Sequence, residues 1–162
     1  MNSMKLEEYN KKRKFDKTPE PKGKLKKSKK RIYVIQKHWA THLHHDLRLE
    51  FGSVLKSWAI PKDPLEAKRR KILAVEVENH PIDYANFEGV IPKGNYGAGK
   101  VKIWDKGTFE LIEKTKKGIV IKINGKKMKG TYVLFKFKEP NNWLFFRKKD
   151  QYDSKKVTKR KT

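Results

Sequence analysis

Hydrophobic and polar residues alternate along much of the chain after residue 30, most clearly in the segment LHHDLRLEF at positions 43–51. A period of two residues is typical of a β-strand whose two faces meet different surroundings. One face of this strand would carry Leu43, His45, Leu47, Leu49 and Phe51, and the other would carry His42, His44, Asp46, Arg48 and Glu50. The segment therefore predicts a strand with one apolar face and one polar, histidine-bearing face.

Similar short segments predict strands through the rest of the chain, at 31–36, 54–60, 72–78, 100–104, 108–113, 118–123, 131–138 and 143–149. Turns are predicted at Gly52-Ser53, at 105–107 and at Asn124-Gly125, a strong hairpin signal. Residues 65–71 predict one short helix, and the glycine- and proline-rich segment 79–99 predicts a long loop. This pattern predicts a mainly β chain that forms an antiparallel barrel or sandwich, and we favour the barrel. A closed antiparallel β-barrel of about eight strands with short flanking helices would remove exposed sheet edges.

The net charge of the chain indicates what kind of partner it binds. The 162 residues carry a formal net charge of +24, and both terminal segments and the middle are basic. We divide the chain into a basic, partly mobile arm at 1–30, with at most a short helix near 4–14, a barrel domain at 31–150 and a basic tail at 151–162. A polyanion is the partner that such a surplus favours, and nucleic acid is the first candidate.

Composition also narrows the chemistry. The chain has no cysteine, which excludes disulfides and thiolate metal ligands and leaves histidine, aspartate and glutamate as candidate ligands. It has no run of about 18 apolar residues and no apolar stretch near the N-terminus. We therefore expect a cytoplasmic protein that has no contact with membranes.

Four of the five histidines lie within QKHWATHLHHDLRLE, residues 36–50. His44 and Asp46 are two residues apart, so they share a face and can bind one ion, with Arg48 next along that face. His38 lies upstream and could complete the site across a bend, while His45 is expected to pack against the core. Two imidazoles and a carboxylate leave coordination positions open and suit Zn, Fe or Mn. The alternative interpretation is a solvated histidine cluster without a metal.

Two other patterns are weaker indications of chemistry. GNYGAGK, residues 94–100, matches the spacing of a phosphate-binding loop, but Val101 stands where Ser or Thr should bind Mg²⁺ and a strand follows. Its glycines are better explained by tight backbone turns or close approach. Glu76 and Glu78 lie on a predicted strand in a very basic chain, so we expect them to pair with nearby lysines.

Several long motifs resemble those of the 3′-phosphoesterase domain of bacterial DNA ligase D and its free-standing archaeal relatives. They are QKHWATHLHHDLRLE, VLKSWAIPK, VEVENHPIDYANFEGVIPKGNYGAGKVKIWDKG and WLFFRKKD. The resemblance runs from about Arg13 to Asp150. No polymerase or ligase module fits into 162 residues, so the stand-alone form is expected.

The resemblance implies a compact β-barrel and a Mn²⁺-dependent activity, with Zn²⁺ or another divalent ion as the alternative, on the 3′ end of a primer–template duplex. A phosphodiesterase step would remove a ribonucleotide-bearing end and leave a 3′-phosphate. A phosphomonoesterase step would then give a 3′-hydroxyl, for end joining or repair. The partners implied are nucleic acid and separate ligase, polymerase/primase and Ku proteins, and the protein itself is expected to be a monomer.

The same resemblance assigns roles to residues. The metal ligands would be His38, His44 and Asp46; Gln36 and Arg48 would line the site; Lys62 would contact phosphate; His80 and Tyr84 would reach the scissile group; Arg13 and Glu20 would be weaker substrate contacts. His80 would act either as the proton donor or as a phosphate ligand. The chain departs from the family pattern at Lys14 and Ile72, where the family has an aspartate and an arginine, and this leaves the strength of the monoesterase step open.

The rival hypothesis is a non-catalytic basic β-barrel module that binds nucleic-acid ends. That module explains the charge, the aromatic residues and the glycine-rich loop, and it treats the histidines as surface residues. This hypothesis gives no role to His80, which is far in sequence from the other four histidines. Convergence of His80 on the face of His44 and Asp46 therefore favours an enzyme.

Overall fold

The computed structural model describes residues 6–12 and 31–149. In these residues a nine-stranded antiparallel sheet closes on itself, because β1 pairs with β6 as well as with β2. Eight strands form the ring, in the order β1-β2-β3-β4-β9-β8-β7-β6, and β5 pairs with β6 outside it. The predicted mainly β, closed antiparallel barrel is confirmed.

The elements follow the predicted segments in order. The strands are β1 Ile32–Trp39, β2 Leu43–Phe51, β3 Val54–Ile60, β4 Ile72–Pro81, β5 Gly89–Ile91, β6 Gly99–Lys114, β7 Gly118–Asn124, β8 Lys129–Lys138 and β9 Asn142–Arg147. The helices are α1 Glu7–Lys11 and two 3₁₀ turns, Pro64–Lys68 and Ile82–Asn86. None of the helices in the described part of the chain has the length and apolarity needed to cross a membrane.

Two apolar clusters lie on opposite sides of the barrel wall. The inner cluster fills the barrel with side chains such as Tyr33, Leu47, Trp58, Ile121 and Phe145. The outer cluster covers part of the wall with Tyr9, Val34, Leu55, Ile82, Tyr84, Ala85, Phe87, Ile91 and Val101. The polar face of β2 lies on this outer side, and from Asp46 onwards it is buried as well. Asp46, Arg48 and Glu50 are only 6%, 3% and 3% exposed, so their charges act at low dielectric.

The predicted turn at 105–107 is wrong, since β6 continues through it to Lys114. An extra residue bulges there, because Ile35 pairs with Asp105 while Gln36 pairs with Ile103. One inserted residue moves the following side chains to the other face of a strand. Before the bulge Val101 and Ile103 pack in the outer cluster, whereas after it Phe109 packs in the inner one.

Other boundaries also differ from those predicted. β4 extends to Pro81, so His80 lies within a strand and not at the start of a loop. The segment expected to be a long loop contains the second 3₁₀ turn and β5. The expected helix at 65–71 is the 3₁₀ turn Pro64–Lys68. The arm residues Arg13 and Glu20 and the tail at 151–162 lie outside the described residues.

The hairpin predicted at Asn124-Gly125 is present, and the buried carboxylate of Asp105 holds its loop. Oδ1 of Asp105 accepts hydrogen bonds from the backbone N–H of Lys126 and Lys127, at 2.9 and 3.1 Å. Oδ2 accepts from the N–H of Met128 and the hydroxyl of Tyr33, at 3.0 and 2.9 Å. A Cβ on Gly125 would lie 2.4 Å from this Oδ2, so the close approach requires glycine.

Replacing Asp105 by alanine is expected to lower the free energy of unfolding by about 3–4 kcal/mol, because buried donors lose their acceptor. The matched control is Asp63→Ala. Asp63 is an exposed cap that accepts one backbone hydrogen bond from Leu65, and its loss should cost about 1 kcal/mol. Urea unfolding of the two variants measures the difference. Equal losses would contradict the role given to Asp105.

Candidate active site

The site is built on the outer face of β1 and β2, where the pairing register sets three rows of side chains. Val34 is opposite Arg48, Gln36 is opposite Asp46, and His38 is opposite His44. Directly opposed residues on one face of an antiparallel pair have neighbouring Cβ atoms. Strand pairing therefore brings His38 to His44 and Asp46 without the bend that the sequence interpretation required.

His38, His44 and Asp46 offer three ligand atoms that lie within 4.8 Å of one another. Nδ1 of His38 is 3.5 Å from Oδ2 of Asp46, and Nε2 of His44 is 3.2 Å from its Oδ1. Nitrogen and carboxylate ligands in this number suit a transition-metal ion that keeps coordination positions open. The donor set therefore fits a divalent metal.

Backbone carbonyls orient both imidazoles for this task. Nε2 of His38 lies 2.7 Å from the carbonyl oxygen of Gly97, and Nδ1 of His44 lies 3.1 Å from that of His42. A carbonyl only accepts, so each of these ring nitrogens must carry the proton. In the neutral rings the nitrogens that face Asp46 are then lone-pair donors, which is the arrangement that a metal ligand needs.

Gly97 was missed as a site residue, although its loop was singled out by its glycines. It has φ +75°, in the left-handed region that favours glycine. This conformation directs its carbonyl towards His38. The glycine-rich segment thus supports the candidate metal site through a backbone oxygen.

Electrostatics keep the aspartate ionised. Burial alone would raise the pKa of Asp46, but the charge of Arg48, and the hydrogen bonds that His38 and His44 donate when their rings are protonated, lower it far below its ordinary value. For His44 burial would lower the pKa, and the hydrogen bond and charge of Asp46 outweigh it and raise the pKa. Asp46 is therefore ionised, and its charge favours the protonated form of His44.

Arg48 and Gln36 form a buried pair beside this cluster. Nη2 of Arg48 is 3.5 Å from Oδ2 of Asp46, and its Nε donates to Oε1 of Gln36 at 2.6 Å. Gln36 in turn donates to the carbonyls of Tyr84 and Phe87, at 2.8 and 3.1 Å. Gln36 does not line the cavity described next. It fixes the guanidinium and ties β1 to the second 3₁₀ turn.

A cavity of about 270 Å³ opens on the cluster. Its lining includes His38, His44, Asp46, Arg48, His80 and Tyr84. Six of the residues proposed from the sequence therefore share one cavity. Lys62 does not line it, and instead is exposed just beyond the end of β3.

His80 reaches the cavity because β4 has a bulge. Ser57 pairs with Val77 but Leu55 pairs with His80, so three steps along β4 match two steps along β3. Ala74 points into the barrel, and strict alternation would turn His80 inward too. The extra residue instead places the ring of His80 on the outer face, where its Nδ1 donates to the carbonyl of Glu78 at 3.0 Å.

Tyr9 of α1 was also missed, since the arm gave no periodic signal. Its ring is fully buried, 4.8 Å from the ring of His80 and 6.0 Å from that of Tyr84. The rings of His80 and Tyr84 are themselves 4.6 Å apart, edge to face. The N-terminal helix therefore forms part of the wall that holds His80.

Three smaller expectations hold. Glu76 pairs with Lys56 at 2.7 Å, and Glu78 pairs with Lys12 at 3.4 Å. His45 packs edge to face on Trp104, with ring centroids 5.5 Å apart. Burial lowers the pKa of His45, in keeping with a neutral packing residue rather than a ligand.

Comparison with known proteins agrees with this site. The family model described as the DNA Ligase D 3′-phosphoesterase domain matches residues 36–136. The chain is 42% identical over 156 residues to the multifunctional non-homologous end joining protein LigD of Pseudomonas aeruginosa, covering 90% of this chain and 19% of that protein. It is 41% identical over 164 residues to LigD of Mycolicibacterium smegmatis, covering 93% and 21%.

The chain thus spans about a fifth of the length of these curated relatives. The matched region contains all the residues that line the cavity. On the strength of the family match and of these identities, the chain belongs to the DNA ligase D 3′-phosphoesterase domain family.

Proposed function

We propose that this chain is a metal-dependent 3′-phosphoesterase that trims the 3′ ends of DNA or ribonucleotide-containing primer strands. A phosphodiesterase step would leave a 3′-phosphate, and a phosphomonoesterase step would convert it to a 3′-hydroxyl. One observation carries the proposal. Two oriented imidazoles and an ionised carboxylate lie beside a buried arginine in a cavity that His80 also lines.

His38, His44 and Asp46 would hold the metal, which we propose to be Mn²⁺, with Zn²⁺ or another divalent ion as the alternative. When bound, such an ion polarises a phosphate oxygen and lowers the pKa of water. The nitrogen and carboxylate donors accept any of these ions, so metal titration must identify the native one.

The remaining site residues would act on the phosphate itself. Arg48 is fixed by Gln36 and Asp46, so its guanidinium is preorganised for the extra negative charge of the transition state. In the described residues Nη1 of Arg48 has no hydrogen-bond partner although it is buried, which favours an anion as its missing acceptor. Lys62 would add a second cation from the exposed end of β3, and Arg13 and Glu20 would contact the substrate.

His80 and Tyr84 would face the scissile group. The carbonyl of Glu78 and the ring of Tyr9 fix the imidazole of His80. A fixed imidazole can hold a phosphate oxygen or give a proton to the leaving oxygen. Tyr84 packs on His80 and lies under Arg48, whose guanidinium carbon is 4.8 Å from its ring centroid, so it orients both groups.

In the cell the substrate would be the 3′ end of a primer–template duplex in the cytoplasm. The +24 charge suits this polyanion. The relatives are named for non-homologous end joining. We propose that the chain works with ligase, polymerase/primase and Ku proteins, supplying ends that a ligase can seal.

A primer–template with one 3′-terminal ribonucleotide tests the proposal. With Mn²⁺ present, we expect the primer to shorten to a strand ending in 3′-phosphate, followed by a strand ending in 3′-hydroxyl. Denaturing gels resolve the two products, and a 5′ label on the primer follows both. An all-deoxy primer and a 5′-terminal ribonucleotide are the control substrates. Release from the 5′ end would contradict the proposal. Tight binding of ends without any 3′ hydrolysis would favour the non-catalytic module.

A further inference from the structure

A basic and apolar patch lies on the opposite face of the same strand ends that carry the histidines. The pairing register defines it in two rows across β6, β1 and β2. Lys102, Lys37 and His45 form one row, and Lys100, Trp39 and Leu43 form the other. We call the five of these residues other than the buried His45 the Trp39 patch. It joins an aromatic ring to three lysines at one end of the barrel.

Trp39 differs from the other tryptophans. Trp58 and Trp143 are buried in the barrel and Trp104 packs against the core, whereas Trp39 is 38% exposed and its neighbour Leu43 is 47% exposed. The barrel therefore leaves part of the indole ring accessible. An exposed tryptophan next to an exposed leucine is characteristic of binding surfaces.

Lysines surround this ring. Nζ of Lys37 and Nζ of Lys100 lie 5.0 and 5.3 Å from its centroid, within the range of a cation–π contact. Within residues 6–12 and 31–149, Lys37, Lys100 and Lys102 form no ion pair with a carboxylate. Their charges are available to an anion, and the ring between them offers a stacking surface.

The patch adjoins the active-site cavity. His38 and Ala40, the residues on either side of Trp39, both line that cavity. Successive side chains of a strand point to opposite faces, so the indole lies across the end of β1 from the metal ligands. A nucleic-acid strand with a phosphate at Arg48 would reach Trp39 by passing over this strand end.

We propose that Trp39 is a stacking platform for an unpaired base next to the reacting end, with Lys37, Lys100 and Lys102 binding the phosphates beside it. An unpaired base is specified because a paired base inside a duplex has no free face for the indole. This inference deepens the proposed function, on which its choice of nucleic acid as ligand rests. It adds a subsite that selects substrates with single-stranded nucleotides near the 3′ end.

Binding of a short single-stranded DNA in the presence of a chelator tests the platform without turnover. Trp39→Ala should raise Kd about tenfold or more, as expected for one lost base–aromatic stack, while Trp39→Phe should retain most of the affinity. Ile112→Ala is the matched control, because Ile112 is 54% exposed on the same strand as Lys100, about 40 Å further along. It should bind as the wild type does. A Kd for Trp39→Ala within twofold of the wild type would overturn the proposal.

An abasic scan of the same oligonucleotide identifies the contact. At one position, removing the base should weaken wild-type binding about as much as Trp39→Ala does, and should cost the Trp39→Ala variant nothing further. Full loss in both proteins at every position would refute stacking on Trp39. If the Trp39 effects are found but no 3′ product forms with Mn²⁺, the hydrolytic proposal fails and the platform stands.

The salt dependence of binding tests the proposed phosphate contacts of the patch lysines independently. Replacing Lys37, Lys100 and Lys102 by glutamine should reduce the slope of log Kd against log salt concentration by about 2, since each single-strand phosphate contact contributes about 0.7. The control set is Lys116, Lys117 and Lys122, three exposed lysines in the β6–β7 turn and on β7. Equal changes in slope for the two sets would mean that the charge acts diffusely and would overturn the phosphate contacts.

Discussion

His44→Ala is expected to lower divalent-metal affinity and turnover together, each by about 100-fold or more. The substitution removes one of the three candidate ligands, and even groups outside the coordination sphere usually change metal affinity by about 10–100-fold. Without His44 the buried carboxylate of Asp46 still has Arg48 as its counter-charge, so no buried charge is left unpaired. We therefore expect the barrel to stay folded. Isothermal titration with Mn²⁺ measures the affinity, and the ribonucleotide primer assay measures turnover.

His42→Ala is the matched control for this experiment. His42 is an exposed histidine two residues earlier, and within the described part of the chain it contacts His44 only through its backbone carbonyl. Alanine keeps that carbonyl, so metal binding and turnover should match the wild type. Asp46→Asn should abolish turnover too, but it also deprives buried Arg48 of its counter-charge and should cost about 3 kcal/mol of stability.

Chelation completes the test. Stripped protein should be inactive, and titration with Mn²⁺, Zn²⁺ and Mg²⁺ should restore activity most strongly with Mn²⁺. Full activity of the stripped wild type would refute the metal proposal. If His44→Ala retained activity, the metal would have to be bound by residues other than the three proposed.

His80→Ala is expected to reduce turnover by about 10²-fold or more while metal affinity and substrate Kd change little. Losses of this size are typical when an acid–base group or a transition-state donor is removed. Metal affinity should persist because the three candidate ligands lie on β1 and β2, whereas His80 lies on β4. Single-turnover rates at saturating substrate measure the effect.

A second variant separates chemistry from packing. The ring of His80 is buried between Tyr9 and Tyr84, so alanine also opens a cavity. His80→Gln fills most of this space and keeps a hydrogen-bonding group, but it cannot transfer a proton near neutral pH. A low rate in both variants identifies proton transfer, and recovery in His80→Gln identifies a phosphate ligand. Wild-type rates in both would contradict any role for His80 in the reaction.

The sequence by itself determined the architecture and the centre of the site. Alternation of period two set the strands, as in Leu43–Phe51, because each strand separates two environments. The same period placed His44, Asp46 and Arg48 on one face, where the structure has them. The motifs identified the family, which the comparisons confirm.

The effects of the two β-bulges, each one extra residue in a strand, were decided only by the tertiary structure. The bulge in β6 removed the predicted turn at 105–107 and buried Asp105 under the β7–β8 loop. The bulge in β4 turned His80 from the barrel interior to the cavity. A bulge exists only relative to a partner strand, because it places two residues of one strand opposite one residue of the other. The sequence of a single strand does not show which strand it pairs with or in which register, so it cannot predict the bulge.

The packing around the site likewise could not be predicted from the sequence. Tyr9 lies in an arm without periodicity, and it contacts His80 only because the N-terminal helix folds onto the outer wall. The carbonyl of Gly97 meets His38 across 59 positions of the chain. Local patterns specify which face a side chain takes, whereas such contacts between distant segments arise only when the barrel closes and its outer layer packs against it.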